Sequence, residues 1–484
     1  MKKLILYFTG LSLLFSSCQK FEEYQEDPNR TTTATPGLLL TNIEVSAFSS
    51  ISLDAALAAR YLVNINLVSE YQYYNWDQGS YGNYSLLRQV MKMEEVALDS
   101  DDPNYLAIGK FFRAYLFDEL SRQFGDIPYF NALKAEDELF QPEYDRQEDI
   151  YVDLLRLLRE ASQEISSLEG PITGDVVFNG DHLKWRKLIN SYRLRLLISL
   201  SKKTGNPNFN IEQEFSEIYE NPDDYPIFTS NEDNCGYPFS FESGNLYPFY
   251  QKAYILTAHI MEESFVERLK ELEDPRLYIL ADQEEKSQGQ DTLDRDTYSG
   301  FRASDPIDVN TTRLGNGEGS PIDFRYIDNP EPEMNLAYSY AELCFTLAEA
   351  AQRGWIDADP ADYYEEGILA SMEYYGIVAT DILEYLNNPQ VAFDPSRGLE
   401  MILTQKHAAM FLNSGWEPFF NQRRTGIPEF DVSGDGILNN GRIPKRWMYP
   451  TDEIELNLEN LSEAIDRQYA SDNINETMWL LIEE

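Results

Sequence analysis

The sequence of 484 residues carries 39 basic and 83 acidic side chains, a formal net charge of -44. A surface this acidic repels phosphate backbones, which argues against a nucleic-acid ligand. With 43% hydrophobic residues the chain can bury a large core, and its length exceeds the roughly 250–300 residues at which a single core stops growing, so lobes or a repeat architecture are expected.

Lys2 and Lys3 open the chain, followed by an apolar run from Leu4 to Phe15 that is shorter than the roughly 20 residues a bilayer span needs. Ser16 and Ser17 stand directly before Cys18. This resembles a bacterial lipobox, with Phe15 where an aliphatic residue is usual. It predicts a signal peptide over residues 1–17 and a lipidated Cys18 as the first mature residue, tied to the membrane. Removing the leader takes away two lysines and no acid, leaving 467 residues at a net charge of -46. Residues 18–36 lack apolar periodicity and end in a threonine-rich, proline-marked stretch, which predicts an extended tether. The acids close behind Cys18 read either as a surface-sorting signal or as a solvated linker. No later apolar run is long enough to cross a membrane.

The body, residues 37–484, turns helical at once. Leu38 to Leu40, Ile43, Val45 and Phe48, then Leu53, Leu57, Tyr61, Ile65 and Val68, recur near the helical period. Residues 71–84, YQYYNWDQGSYGNY, break it with tyrosines around Trp76 and with Gly79 and Gly82, predicting an aromatic loop or short helix. Long helices follow over 103–124, stopped by Gly125, over 148–168 and over 181–201. Tyr105, Ile108, Gly109 and Phe112 resemble the first half of a tetratricopeptide repeat. A later helical pair, 335–354 and 361–375, shows similar small-residue spacing at Ala341, Ala348 and Ala351. Stacked helix pairs of this kind bury a continuous core between units unable to fold alone. Residues 204–250 and 281–333, rich in Pro, Gly, Asn and Asp, predict irregular structure with small hairpins. The fold class is therefore mainly α, with an irregular lobe.

No catalytic constellation stands out. His182, His259 and His407 are far apart, and the run His259-Ile-Met-Glu262-Glu263 lacks the second histidine of the zinc-protease patterns. Gly315, Gly317 and Gly319 alternate without a preceding strand, as in a flexible turn rather than a phosphate cradle. The many acids hide any glycosidase pair. Asp431, Ser433 and Asp435 open like a calcium loop, but the twelfth position is Arg442 where a bidentate Glu is needed, so an Asp/Gly turn is the expectation and no metal or cofactor is assigned. Cys235 and Cys344 permit a disulfide in an oxidising compartment without requiring one, and Cys344 falls on an apolar helical side with Leu343, Leu347 and Ala351.

The aromatic clusters point to binding. Flat rings at a surface stack on the apolar faces of sugars while neighbouring polar groups bond the hydroxyls. Candidates are Tyr74, Asn75, Trp76 and Tyr81 in the first polar-aromatic loop, near Asp77 and Gly79, and Tyr298 and Phe301 in a second. For any single ring, packing the loop onto the core is an equally good account.

Residues 398–430, GLEMILTQKHAAMFLNSGWEPFFNQRRTGIPEF, and 441–465, GRIPKRWMYPTDEIELNLENLSEAI, resemble the closing signature of the SusD/RagB family of Bacteroidetes. Earlier blocks resemble that family in order: DPNRTT at 27–32, FGDIPYF at 124–130, YDRQEDIYVDLL at 144–155, GDHLKWRKLINSYRLRLL at 180–197 and YAELCFTLAEAAQRGW at 340–355. Arg423 and Arg424 would cap carbonyls or bridge acids, and Pro444 and Pro450 would fix an extended connection into a last helix, so these blocks read as fold determinants. The resemblance implies four tetratricopeptide-like helix pairs beside a loop-rich lobe. It also implies a non-enzymatic outer-membrane lipoprotein, exposed at the cell surface, that captures a glycan or peptide and passes it to a TonB-dependent transporter of the SusC type. The family's ligand residues have no fixed motif, so the aromatic candidates rest on their chemistry alone. A tetratricopeptide-type scaffold that binds only another protein is the alternative of a different class.

Overall fold

The computed structural model describes residues 34–165 and 169–484. The leader, Cys18 and most of the expected tether lie outside the described residues. The first helix, α1 (Pro36–Phe48), starts where the Thr35 hydroxyl accepts the Leu38 N–H and Pro36 supplies a preset φ. Two short helices, α2 (Leu53–Ala58) and α3 (Glu70–Tyr73), are each capped by a serine, Ser52 and Ser69. Then come α4 (Asn83–Asp99), α5 (Asn104–Phe124), α6 (Gln147–Ile165), α7 (His182–Ser199) and α8 (Ile211–Glu220). Gly125, at φ +92°, stops α5 as the sequence predicts. Asp181 caps α7 by accepting from the N–H groups of Leu183 and Lys184. Helices α4 to α8 pack each on the next, and α1 lies against α4. The sequence signals for α5, α6 and α7 were strong because each runs long with a regular apolar stripe, whereas α8 falls in a stretch expected to be irregular.

The second helical block comprises α9 (Glu263–Glu271), α10 (Tyr340–Gln352), α11 (Pro360–Tyr374) and α12 (Gly398–Ala409). The chain closes with α13 (Glu417–Thr425), α14 (Thr451–Leu456) and α15 (Leu458–Gln468). Helix α10 packs on α11, α12 and α7, which joins the two blocks. The helical spacing from residue 335 overreached by one turn. Asn335–Tyr338 is a strand, and the Ser339 side chain starts the helix by accepting the Glu342 N–H.

Two small antiparallel sheets organise the lobe between the blocks. They pair β1 (Leu62–Asn64) with β3 (His259–Met261) and β2 (Cys235–Tyr237) with β4 (Asn335–Tyr338). In both, the strands come from distant parts of the chain. The main hydrophobic core runs from α1 through α15, a second cluster lies among α10, α11 and α12, and Val63, Ile65, Ile260, Phe301 and Ala303 form a third under β1 and β3. Cys235 and Cys344 are buried free thiols.

Buried ion pairs stitch these parts together. On α7, Arg195 donates from Nε to Glu342 Oε1 of α10 at 2.8 Å and from Nη2 to Glu342 Oε2 at 2.5 Å. On α13, Arg424 donates to both oxygens of Glu349 at 2.6 and 2.8 Å. Burial opposes the charge on Glu349, but Arg424, Arg353 and Lys406 win and hold its carboxyl down at about 2. The neighbouring Arg423 instead donates to the carbonyls of Lys445 and Arg122. One arginine thus bridges an acid and the other caps backbone, the two roles their sequence context allowed.

Candidate functional site

Arg60 clamps the aromatic loop from beneath. Set at φ +60° just after α2, it is 1% exposed. Its Nη1 donates to the Gln72 carbonyl at 2.7 Å, its Nη2 to the Asp431 carbonyl at 3.3 Å, and its guanidinium lies 4.0 Å from the centre of the Tyr74 ring. A third segment joins through Arg302, whose Nη2 donates to Asp431 Oδ2 at 2.7 Å, and through Ser304, whose hydroxyl donates to the same oxygen at 2.5 Å. The Tyr73 hydroxyl donates to the Asp305 carbonyl at 3.2 Å, and the Leu438 N–H donates to the Tyr73 carbonyl at 3.1 Å. Segments 60–76, 302–305 and 431–438 therefore move as one unit.

Asp431 uses both carboxylate oxygens in this clamp, since Oδ1 accepts from the N–H and hydroxyl of Ser433. Burial works against its charge, yet the bonds from Ser304, Ser433 and Arg302 hold it below the usual carboxylate range. The calcium-like opening is thus an Asp turn locked by a guanidinium.

The candidate rings lie deeper than a surface role requires. Trp76 is 1% exposed. It stacks on Trp447 at 4.9 Å and 21°, meets Phe419 edge-on at 5.5 Å, and donates its indole N–H to the Arg446 carbonyl at 3.2 Å. Tyr74, also buried, donates its hydroxyl to the Ala58 carbonyl at 2.8 Å. Its backbone sits in the left-handed region at φ 58°, ψ 38°, a conformation costly for a non-glycine residue and retained by these contacts. Tyr298 donates to the Thr292 carbonyl at 2.9 Å, and Phe301 packs under the Arg313 guanidinium at 4.9 Å. Neither of these two presents a face to solvent. The structure does not bring the second loop's rings together with the first's.

Asn75 and Tyr81 remain partly exposed. The Asn75 Oδ1 is enclosed without a protein donor, and the Tyr81 ring rests edge-on against Phe124 at 5.0 Å. Gly79 passes so close to Phe124 that an added Cβ would lie 2.5 Å from its ring, so only glycine fits beneath Tyr81.

Packed against the buried Trp76 cluster, the rings that reach the surface are Tyr71 and Trp416. Both are partly exposed, with ring centres 5.5 Å apart and planes inclined by 56°. They lean on the buried Trp76, Trp447 and Phe419, which hold them from behind. Burial, then the charges of Asp54 and Glu70, raise the Tyr71 hydroxyl above its ordinary value. Burial, then Asp54 and Asp77, likewise raise the Glu70 carboxyl. Two small clefts meet at Gly415 beside Trp416: one is lined by Ser50, Ser52 and Asn413, the other by Glu119 and Ser414 with the Arg122 and Arg195 ion pairs at its base. Rings flanked by carboxylates, hydroxyls and amides suit a polyhydroxylated ligand better than an apolar one. Tyr71 belonged to the aromatic stretch in the sequence but stood out no more than its neighbours. Trp416 lay in a block read as a fold determinant, and no local signal connects it to Tyr71.

Comparison with known proteins agrees with this architecture. Residues 28–450 match the profile of the SusD-like family described as starch-binding associating with outer membrane. No functionally curated protein matches the chain. Among solved structures, a SusD homolog from Bacteroides fragilis is 36% identical, with a TM-score of 0.87 over 93% of this chain and 100% of that one. An outer-membrane protein of Bacteroides vulgatus with a suggested role in nutrient binding is 34% identical, with a TM-score of 0.86 and the same coverage. A chitin-binding protein is 25% identical, with a TM-score of 0.76 over 93% of this chain and 100% of that one.

Proposed function

The chain belongs to the SusD-like family, and from that membership we propose that it captures an oligosaccharide at the cell surface and delivers it to a TonB-dependent transporter of the SusC type. The family is associated with the outer membrane and its members are binding proteins rather than enzymes. The single observation that carries a glycan ligand is the partly exposed Tyr71–Trp416 pair beside Asp54 and Glu70. A sugar ring stacks on either aromatic face while its hydroxyls donate to the carboxylate oxygens. Asn75 and Tyr81 are partly exposed, but the Asn75 Oδ1 and the Tyr81 hydroxyl are enclosed and closed to a ligand. Tyr74 and Trp76 act from behind the aromatic pair by fixing the loop, and Tyr298 and Phe301 do the same for the second loop.

Among the described residues no helix is long and apolar enough to cross a membrane. Membrane attachment falls to the acyl chains on Cys18, because stable anchoring takes more than one chain and a diacylglyceryl cysteine supplies two. The stretch behind Cys18 then tethers the body over the transporter as a lid.

Calorimetric titration of the purified body with neutral oligosaccharides and, separately, with a mixture of short peptides tests the ligand class. Saturable heat with at least one glycan and none with peptides is expected. Binding confined to peptides would move the protein to the peptide-binding class, and glycan turnover would revive an enzyme.

A further inference from the structure

Two segments far apart in sequence meet at one edge of the helical body and leave their apolar side chains uncovered. The strap at residues 139–144 lies along the junction of α14 and α15. Gln141 Nε2 donates to the Leu456 carbonyl at 2.6 Å, Asn457 Nδ2 to the Pro142 carbonyl at 2.9 Å, and Asn460 Nδ2 to the Gln141 carbonyl at 3.1 Å. The Tyr144 hydroxyl donates to Glu453 Oε2 at 2.5 Å. Across this seam Phe140 is 72% exposed, Leu456 66%, Leu458 56%, Leu139 43% and Ile454 42%. Single exposed apolar residues are ordinary, but five on adjoining turns form a patch of the kind that marks a contact surface.

The charges around the patch restrict what can cover it. Residues 134–144 and 451–468 contain ten carboxylates and two basic side chains: Lys134, whose ammonium is engaged with Asn131 Oδ1 at 3.1 Å, and Arg467, whose guanidinium is paired with Asp126 and donates to the Tyr144 carbonyl at 3.0 Å. Two copies of this chain placed patch to patch would oppose two strongly acidic rims, so self-association is disfavoured. An anionic lipid surface is repelled in the same way. The complementary surface is a protein that offers apolar anchors inside a rim of lysine and arginine.

We propose that the seam of residues 139–144 with α14 and α15 is a docking surface for a basic-rimmed apolar face on the partner transporter. This rests on the delivery function proposed above, and it adds which side of the body meets the transporter and by what chemistry. The hydrogen-bonded strap keeps the patch pre-formed, so little ordering cost opposes association. The carboxylate rim accelerates encounter at low ionic strength and makes the contact sensitive to salt.

The test is photocrosslinking in the native outer membrane with p-benzoylphenylalanine at Phe140, at Leu456 and, as a control, at Phe241, an equally exposed ring on another segment. Crosslinks from the first two positions to the co-purifying transporter, but none from Phe241, are expected. The variant Glu455→Lys with Glu459→Lys, which leaves the apolar residues in place, should lower the amount of co-purified transporter at least fivefold. Co-purification that persists without crosslinks from Phe140 or Leu456, or crosslinks to a second copy of this chain, would overturn the docking surface while leaving the delivery function standing. Failure of the unsubstituted protein to co-purify with any transporter would bring down the delivery function, and the docking surface with it.

Discussion

At the scale of single residues, the molecule spends its aromatic side chains on support and leaves few for contact. Trp76 sits between Trp447 and Phe419, and removing its ring would open a cavity under Tyr71. Trp76→Ala should cost about 3–5 kcal/mol, as buried tryptophan truncations do, measured as a lower urea midpoint at unchanged m-value. Glu44 is a second residue whose chemistry is set by burial. It is fully buried, it accepts the Val176 N–H at 2.7 Å, and desolvation reinforced by Asp175 pushes its carboxyl up to about 10. A pKa raised in the folded state means that the protonated side chain favours folding fully below its unfolded value, roughly 4.3. That contribution is lost as the pH climbs towards about 10. Glu44→Gln keeps the acceptor without the charge, so its melting temperature should fall less than the wild type's between pH 5 and 9. Parallel melting curves for the two proteins across that range would show that Glu44 does not carry the effect. The sequence showed the aromatic cluster but not its depth. Trp76 is buried by Trp447 and Phe419, residues more than 300 positions away, and local pattern holds no record of such partners.

At the scale of elements, legibility followed length and regularity. Helices α5, α6 and α7 were readable from their apolar stripes and stops, because tertiary packing uses the same face that periodicity reveals. The start of α10 was not, because Asn335–Tyr338 is drawn into β4 by pairing with β2, and short strands follow their partners more than their own propensity. The twin arginines of α13 were recognisable as structural, though not by which partner. Arg424 now has one, the buried Glu349 of α10. Arg424→Met would leave that carboxylate with Arg353 as its one remaining ion-pair partner among the described residues; breaking a buried pair outright costs about 3–5 kcal/mol, and Arg353 keeps the loss towards the lower end. Because Glu349 is held at about 2, its contribution is present above the unfolded value and lost as the pH falls through about 2. The penalty of Arg424→Met, read from urea denaturation, should therefore be full at pH 7 and smaller at pH 3. An equal penalty at both pH values would contradict the ion-pair account.

For the whole molecule, the helical body and the clasped loops form one packed platform, and the proposed lipid anchor ties it to the membrane. The fold class and family were legible because their blocks span nearly the whole chain. The proposed ligand surface was not, since it is assembled from α3 and the residue before α13. Cys18→Ala should release the protein from the membrane fraction into the soluble fraction with ligand affinity unchanged; retention of that variant in the membrane would contradict the lipid tether.

The central claim is that the accessible Tyr71–Trp416 pair, rather than the buried rings behind it, holds the sugar. It is tested most directly by titrating one bound oligosaccharide into the wild type, Tyr71→Ala and Trp416→Ala, each checked for an unchanged far-ultraviolet circular dichroism spectrum. Stacking worth about 0.5–1.5 kcal/mol per face predicts a loss of affinity of roughly two- to tenfold in each variant. Wild-type affinity in both, with the fold intact, would place the ligand elsewhere and contradict the account.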